Sequence, residues 1–319
     1  MNVFIIGAGF TKGLFPDAPL NADLIDALEK RYARSAVGTL RLRYGTSDIE
    51  IALTKLDVDI AQTATAADVA LRQRAEKELG DYFAGFTVSP DLLSRTPWLT
   101  ELIDQAFAPD DVAISLNYDC AFEGALDCRV KWSPRGGYGY SLDNPLVADD
   151  KFPVSPVTVL KIHGSASFVI APYVDKPGSN AVNFVINEQF FPISGKGKNF
   201  RFGAGNARTY LIAPSYVKVP TLSIAYLMHD ALSAVAKAEN LIIIGTALRP
   251  EDSFLTVLLT KFLRHPSWKD RRILVVDPNA SGIVARLKAF WGVNVSDQVL
   301  AISKPLQSAV DELVTVLRR

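Results

Sequence analysis

Short β-branched runs, each ending at a glycine or a small polar residue, constrain this chain most. Val3 to Ile6 stops at Gly7, Leu241 to Ile244 at Gly245, and Ile273 to Val276 at Asp277-Pro278. Val112 to Leu116 before Asn117, and Val157 to Ile162 before His163-Gly164, are of the same kind. Unbroken apolar runs of this length suit strands covered on both faces of a parallel sheet. Between them lie stretches with helical spacing: Leu20 to Tyr32, Ala66 to Phe86, Trp98 to Phe107, Ser223 to Ala238 and Asp252 to Leu263. Strands alternating with helices predict an α/β fold with crossover connections. Residues 36–95 hold no convincing strand and read as a helical insertion. Residues 132–210, rich in Gly, Pro, Ser and Asn, read as a smaller irregular subdomain of loops and short strands such as Val182 to Ile186. The whole of 1–319 is expected to form one domain around a single sheet.

Composition narrows the function classes. Lys and Arg number 34 against 34 Asp and Glu, with three His, so no net field attracts phosphate backbones or anionic lipid, and direct nucleic-acid binding is not expected. Two cysteines, Cys120 and Cys128, are too few for a disulfide framework or a four-thiolate zinc site and read as thiols of a reducing compartment. The strongly apolar runs are far shorter than the roughly 20 residues that cross a bilayer. Met1 to Ile6 has no basic n-region or cleavage site, so the expected address is cytoplasmic, with no membrane partner.

The strand ends carry the chemistry. Gly7-Ala8-Gly9-Phe10-Thr11-Lys12-Gly13 follows the first run, where glycines let a backbone approach a pyrophosphate and a helix N-terminus receives it; a tight turn without ligand is the competing reading. The spacing is one residue longer than the usual dinucleotide fingerprint. No second strand ending in an acid follows about 20 residues on, which argues against an ordinary NAD-dependent dehydrogenase. Asn117 suits a ribose hydroxyl or a water, and Asp119 either fixes that amide or caps the next helix. His163 is a residue type whose unperturbed pKa of about 6.5 suits proton transfer near neutrality. His229 and His265 read as structural, and Asp252 as the N-cap of the helix after it. Gly245-Thr246 and Asp277-Pro278-Asn279 close two further strands, the latter with groups able to contact an adenosine sugar. Together these ends describe one ligand site along the carboxyl edge of a sheet.

The order of these motifs resembles the sirtuin family, and more narrowly the zinc-less sirtuin-like NAD-hydrolase domains of bacterial anti-phage defence systems. The matching pieces are Gly7 to Thr11, Leu116 to Asp119, Lys161 to Gly164, Ile212 to Lys218, Gly245 to Asp252 and Val276 to Asn279. The resemblance implies a Rossmann-like parallel sheet with helices on both faces and a smaller inserted subdomain. It implies NAD as substrate without a metal, and Asn117 and His163 as the catalytic pair supported by Asp119. Gly7, Ala8, Gly9, Phe10, Thr11, Tyr118, Gly164, Gly245, Thr246 and Asp277 are then expected to bind the dinucleotide. No cysteine follows His163, where protein-deacylating sirtuins carry a four-cysteine zinc module, and Leu116 stands where deacylases have Gln. The implied activity is hydrolysis of the nicotinamide–ribose bond in antiviral defence, with a catalytically silent NAD or ADP-ribose-binding subunit, or an ADP-ribosyltransferase, as alternatives. A homo-oligomer or a separate sensor protein is the expected control.

Overall fold

The computed structural model describes residues 1–63, 65–139, 155–172, 182–186, 191, 208–211, 215, 222–249, 252–291 and 298–318. The five runs read from the sequence are five neighbouring strands of one sheet: β1 (Asn2–Ile6), β2 (Val112–Ser115), β3 (Thr158–Lys161), β7 (Asn240–Ile244) and β8 (Arg272–Val276). A sixth, β9 (Val299–Ile302), adds an edge. Their order is β3-β2-β1-β7-β8-β9, every pair parallel. That is the doubly wound Rossmann arrangement, with the direction of winding reversing between β1 and β7. The expected Rossmann-like α/β sheet is therefore present. β7 is buried along its whole length, which explains its unbroken apolar sequence.

Helices surround the sheet. α1 (Ala8–Leu14) follows β1, then α2 (Leu24–Arg31), α3 (Ala36–Tyr44), α4 (Ile49–Thr63), α5 (Ala66–Phe83), α6 (Pro90–Ser94) and α7 (Pro97–Ala106) lead to β2. α8 (Ala121–Cys128) and the short α9 (Pro134–Gly137) lie between β2 and β3. α10 (Leu222–Lys237) precedes β7, α11 (Ser253–Leu263) links β7 to β8, α12 (Ala280–Trp291) links β8 to β9, and α13 (Leu306–Leu317) follows β9. α1, α7, α8 and α13 pack on one another, and α11 packs between α10 and α12. Because winding reverses at β1, right-handed crossovers place these two groups on opposite faces.

Two cores result. The larger is centred on the sheet strands and α7, α10, α11 and α13. The smaller joins α2 to α5 through Leu24, Leu28, Leu40, Leu53 and Leu79, so the helical segment has a core of its own. Leu211 also belongs to it, from β6 (Arg208–Leu211), which with β4 (Gly164–Pro172) and β5 (Val182–Ile186) forms an antiparallel sheet of order β5-β4-β6. Those strands fall in the segment read as irregular from sequence, within which α9 and β3 of the main sheet are also described. Among the described residues no helix is long and apolar enough to cross a membrane.

The glycines after β1 and β7 interlock. The Gly7 N–H donates to the Ile244 carbonyl (2.9 Å) and the Gly9 N–H to the Gly245 carbonyl (2.8 Å). A Cβ on Gly9 would lie 2.6 Å from Gly245 Cα, and one on Gly245 would lie 2.6 Å from the Phe10 nitrogen. Gly245 also has φ +62°, a left-handed conformation that penalises any Cβ. Gly245→Ala is expected to cost about 2–4 kcal/mol from the two effects together, read as a lower midpoint in chemical denaturation.

Candidate active site

A cavity of about 800 Å³ opens at the carboxyl edge of the parallel sheet, where a doubly wound fold places its ligands. Gly7, Ala8, Gly9 and Thr11 reach its wall from the end of β1, Asn117, Tyr118 and Asp119 from β2, and His163 from β3. Gly245 and Thr246 reach it from β7, and Asp277 from β8. Most of the residues singled out from sequence thus share one wall.

Two do not. Phe10 is wholly buried, its ring edge-on to Phe122 at 5.3 Å, and its N–H donates to the Gly7 carbonyl at 3.0 Å. One residue along a helical turn from Gly9, the Phe10 side chain therefore lies in the core and not on the cavity wall where the sequence reading placed it. Gly164 is not on the cavity wall either. It opens β4, paired with Leu211, and its φ of +79° turns the chain out of the main sheet after His163. The backbone donors of the first glycine turn are likewise less available than the sequence suggested, since the Gly9 and Phe10 N–H groups are engaged within the protein. The glycines serve loop–loop contact.

A buried chain of hydrogen bonds fixes the β2 end. Asn117 Nδ2 donates to the Gly7 carbonyl (3.0 Å) and to Thr11 Oγ1 (3.2 Å), and Thr11 Oγ1 donates to Asp119 Oδ2 (2.8 Å). A carbonyl only accepts, so the amide orientation of Asn117 is determined and its Oδ1 is turned the other way. Asp119 Oδ1 accepts the Ala121 N–H (3.0 Å), so Asp119 supports the turn into α8 and reaches Asn117 through Thr11. Burial pushes the Asp119 carboxyl above its usual range, against the pull of Lys161 and the hydrogen bonds from Ala121 and Thr11. Thr11→Val keeps the shape and removes two hydrogen bonds in a dry place. It is expected to lower stability by about 1–3 kcal/mol in a denaturant titration and to slow any turnover that depends on Asn117.

His163 is 7% exposed. Its Nδ1 lies 3.3 Å from the Leu116 carbonyl oxygen, and its Nε2 lies 3.1 Å from Asp252 Oδ2. Sequence reasoning placed Asp252 only as a helix cap, which it also is. Glu50 and Phe83, from the helical segment, were not anticipated on this wall at all. Glu50 receives Arg249 Nη1 at 2.9 Å, tying α4 to the loop after β7. Phe83 stands 5.3 Å from the Tyr118 ring, whose phenol is held far above its usual pKa by burial and by the neighbouring Asp252 and Glu50 carboxylates. The other end of the cavity is formed by Asp277 to Asn279, Ile283, Arg286 and Pro305 to Gln307. Asp277 Oδ1 accepts the Asn279 N–H at 2.8 Å, holding that loop closed. Of the stretch 212–218, only Ser215 is among the described residues; buried, it meets Thr54 Oγ1 at 3.2 Å. Among the described residues no cluster of three or more His, Cys, Asp or Glu is placed to hold a metal ion. Cys120 and Cys128 are unbridged, and burial pushes the Cys120 thiol up to about 12.

No family model matches the chain, and no curated protein matches it. Solved structures do. A Sir2 homologue in complex with NAD is 13% identical with a TM-score of 0.47, the alignment covering 99% of this chain and 89% of that one. A mutant Sir2 homologue with ADP-ribose is 13% identical with a TM-score of 0.44, covering 99% and 91%. A Sir2–p53 peptide–NAD complex is 9% identical with a TM-score of 0.44, covering 99% and 92%.

Proposed function

We propose that the chain is an NAD glycohydrolase, cleaving the nicotinamide–ribose bond and passing the ribose carbon to water. The observation that carries this reading is the convergence of Asn117 and His163, from the ends of adjacent strands, on one cavity at the winding reversal of a parallel sheet. That pair, in that motif order, is what resembles the sirtuin family.

The chemistry asks little of an acid. As the C1′–N bond breaks, its electron pair returns to the pyridinium ring and nicotinamide leaves neutral. Positive charge on the ribose is the barrier, and preorganised oxygen dipoles and carboxylates oppose it best. Asn117, clamped through its amide nitrogen, presents Oδ1 toward a ribose hydroxyl or the attacking water. Asp119, Glu50 and Asp252 add carboxylates to the same wall. Water forms the new C1′–O bond, and the proton released from that water or from the ribose passes to the His163–Asp252 pair, whose Nε2 and Oδ2 stand 3.1 Å apart on the wall. With the Gly9 and Phe10 N–H groups engaged, and Arg249 on the same wall paired with Glu50, Lys12 and Arg286 are the natural anchors for the pyrophosphate. The adenosine end then meets Asp277 and Asn279. In a cell, uncontrolled NAD loss is lethal, so the proposal extends to defence by NAD depletion, held in check by self-assembly or by a sensor on another chain.

The test is an NAD-consumption assay at several protein concentrations with products separated by chromatography. Equimolar nicotinamide and ADP-ribose are expected. Calorimetric NAD binding without nicotinamide release replaces hydrolysis with a binding-subunit role, and mass shifts on co-incubated macromolecules replace it with ADP-ribosyl transfer.

A further inference from the structure

Asp252 uses its two carboxylate oxygens differently. Oδ1 accepts the N–H groups of Phe254 (3.2 Å) and Leu255 (3.3 Å), capping α11. Capping needs only one oxygen, and Asn or Ser serves as well as Asp. Oδ2 is therefore not required by the helix, yet it stands 3.1 Å from His163 Nε2, between side chains only 9% and 14% exposed. So little exposure keeps solvent screening of the contact weak.

The opposite edge of the ring determines what this contact does. The Leu116 carbonyl can only accept, so Nδ1 carries a proton toward it and Nε2 is the nitrogen turned to Asp252. Held at both nitrogens, the imidazole cannot rotate about its Cβ–Cγ bond without losing both partners. The Phe254 ring, in the first turn of α11, packs 6.0 Å from it.

We infer that Asp252 is a positioning residue for His163: anchored to the first turn of α11, its second oxygen sets the plane of the imidazole and fixes its Nε2 edge at the cavity wall. The consequence for rate rests on the glycohydrolase reading; the contact itself does not. The decisive variant is Asp252→Asn. The helix cap demands an oxygen, so the asparagine NH₂ turns to Nε2, placing a donor where the carboxylate accepted. Folding and calorimetric NAD affinity are expected to hold, while kcat falls about 10²-fold, the scale on which a misplaced catalytic group loses rate. In ¹⁵N spectra of histidine-labelled protein, assigned with His163→Gln, the His163 Nε2 resonance is expected to move and Nδ1 to stay. Asp252→Ser, which caps but is too short to reach the ring, provides the same readouts should the asparagine variant fold poorly. An unmoved Nε2 resonance, or wild-type kcat in either variant, overturns the inference. If the wild-type chain releases no nicotinamide, the glycohydrolase reading fails, and the NMR result alone decides this one.

Discussion

His163→Ala is expected to abolish nicotinamide release, by about 10²- to 10⁴-fold, the usual contribution of a positioned proton acceptor. The ring is 7% exposed and contacts Leu116 and Asp252 at its two nitrogens, so its removal opens space beside the cavity without breaking the core. Circular dichroism and calorimetric NAD binding should match wild type. Asn117→Ala is expected to lose activity as completely, with a larger stability change, because its amide also satisfies the Gly7 carbonyl and Thr11. The cost of those two bonds is about 1–3 kcal/mol. Unchanged nicotinamide release by either purified variant removes the pair from the mechanism.

Lys161→Met should produce the largest loss of stability among conservative side-chain changes near the site. Lys161 lies on β3, two residues before His163, and neither it nor Glu123 is exposed at all. The ammonium sits 3.0 Å from Glu123 Oε1 and donates to the Asp119 carbonyl, so it ties α8 and the Asn117 turn to β3. Tyr138 donates to the same Glu123 at 3.0 Å, while Glu123 Oε2 is buried without a partner, so the carboxylate depends heavily on the lysine. Breaking a buried pair by removing one member costs about 3–5 kcal/mol, because the remaining charge stays in a dry place. Lys161→Met together with Glu123→Gln leaves no unpaired charge and is expected to regain most of the loss, measured as denaturation midpoints. A single and a double variant of equal stability would show the ion pair to be unimportant. Burial alone pulls the lysine pKa down, but Glu123, Cys120 and Asp119 outweigh it and hold the ammonium above its ordinary value. A cationic group with a raised folded value stabilises fully below its unfolded value, so this contribution persists through neutral pH. It is lost only as alkali rises through the folded value.

Much of the fold was legible because parallel strands buried on both faces must be continuously apolar. β1, β2, β3, β7 and β8 announced themselves in that way. β9 did not: Val299–Ile302 is an apolar run of only four residues, and as an edge strand it leaves Leu300 and Ala301 exposed. The strand ends were legible too, since polar and glycine residues directly after such runs fall on one sheet edge. The placement of the Phe10 side chain was not legible, because it depends on a helical turn that rotates it away from the edge where Gly9 and Thr11 lie. Glu50 and Phe83 had no signal, as only the folding of α4 and α5 onto their own leucine core carries them to the cavity.

By itself, the sequence determined the strands, the sheet edge at which they end, and the candidacy of Asn117 and His163, all consequences of local apolarity and of which residues follow it. Tertiary structure alone decided the partners. The Gly7, Gly9 and Gly245 backbones touch, Thr11 bridges Asn117 to Asp119, and Asp252 caps one helix while holding an imidazole from another strand. Hydrogen bonds and close contacts reach only a few ångströms, and residues far apart in the chain come that near only after the sheet has set the distances between its loops.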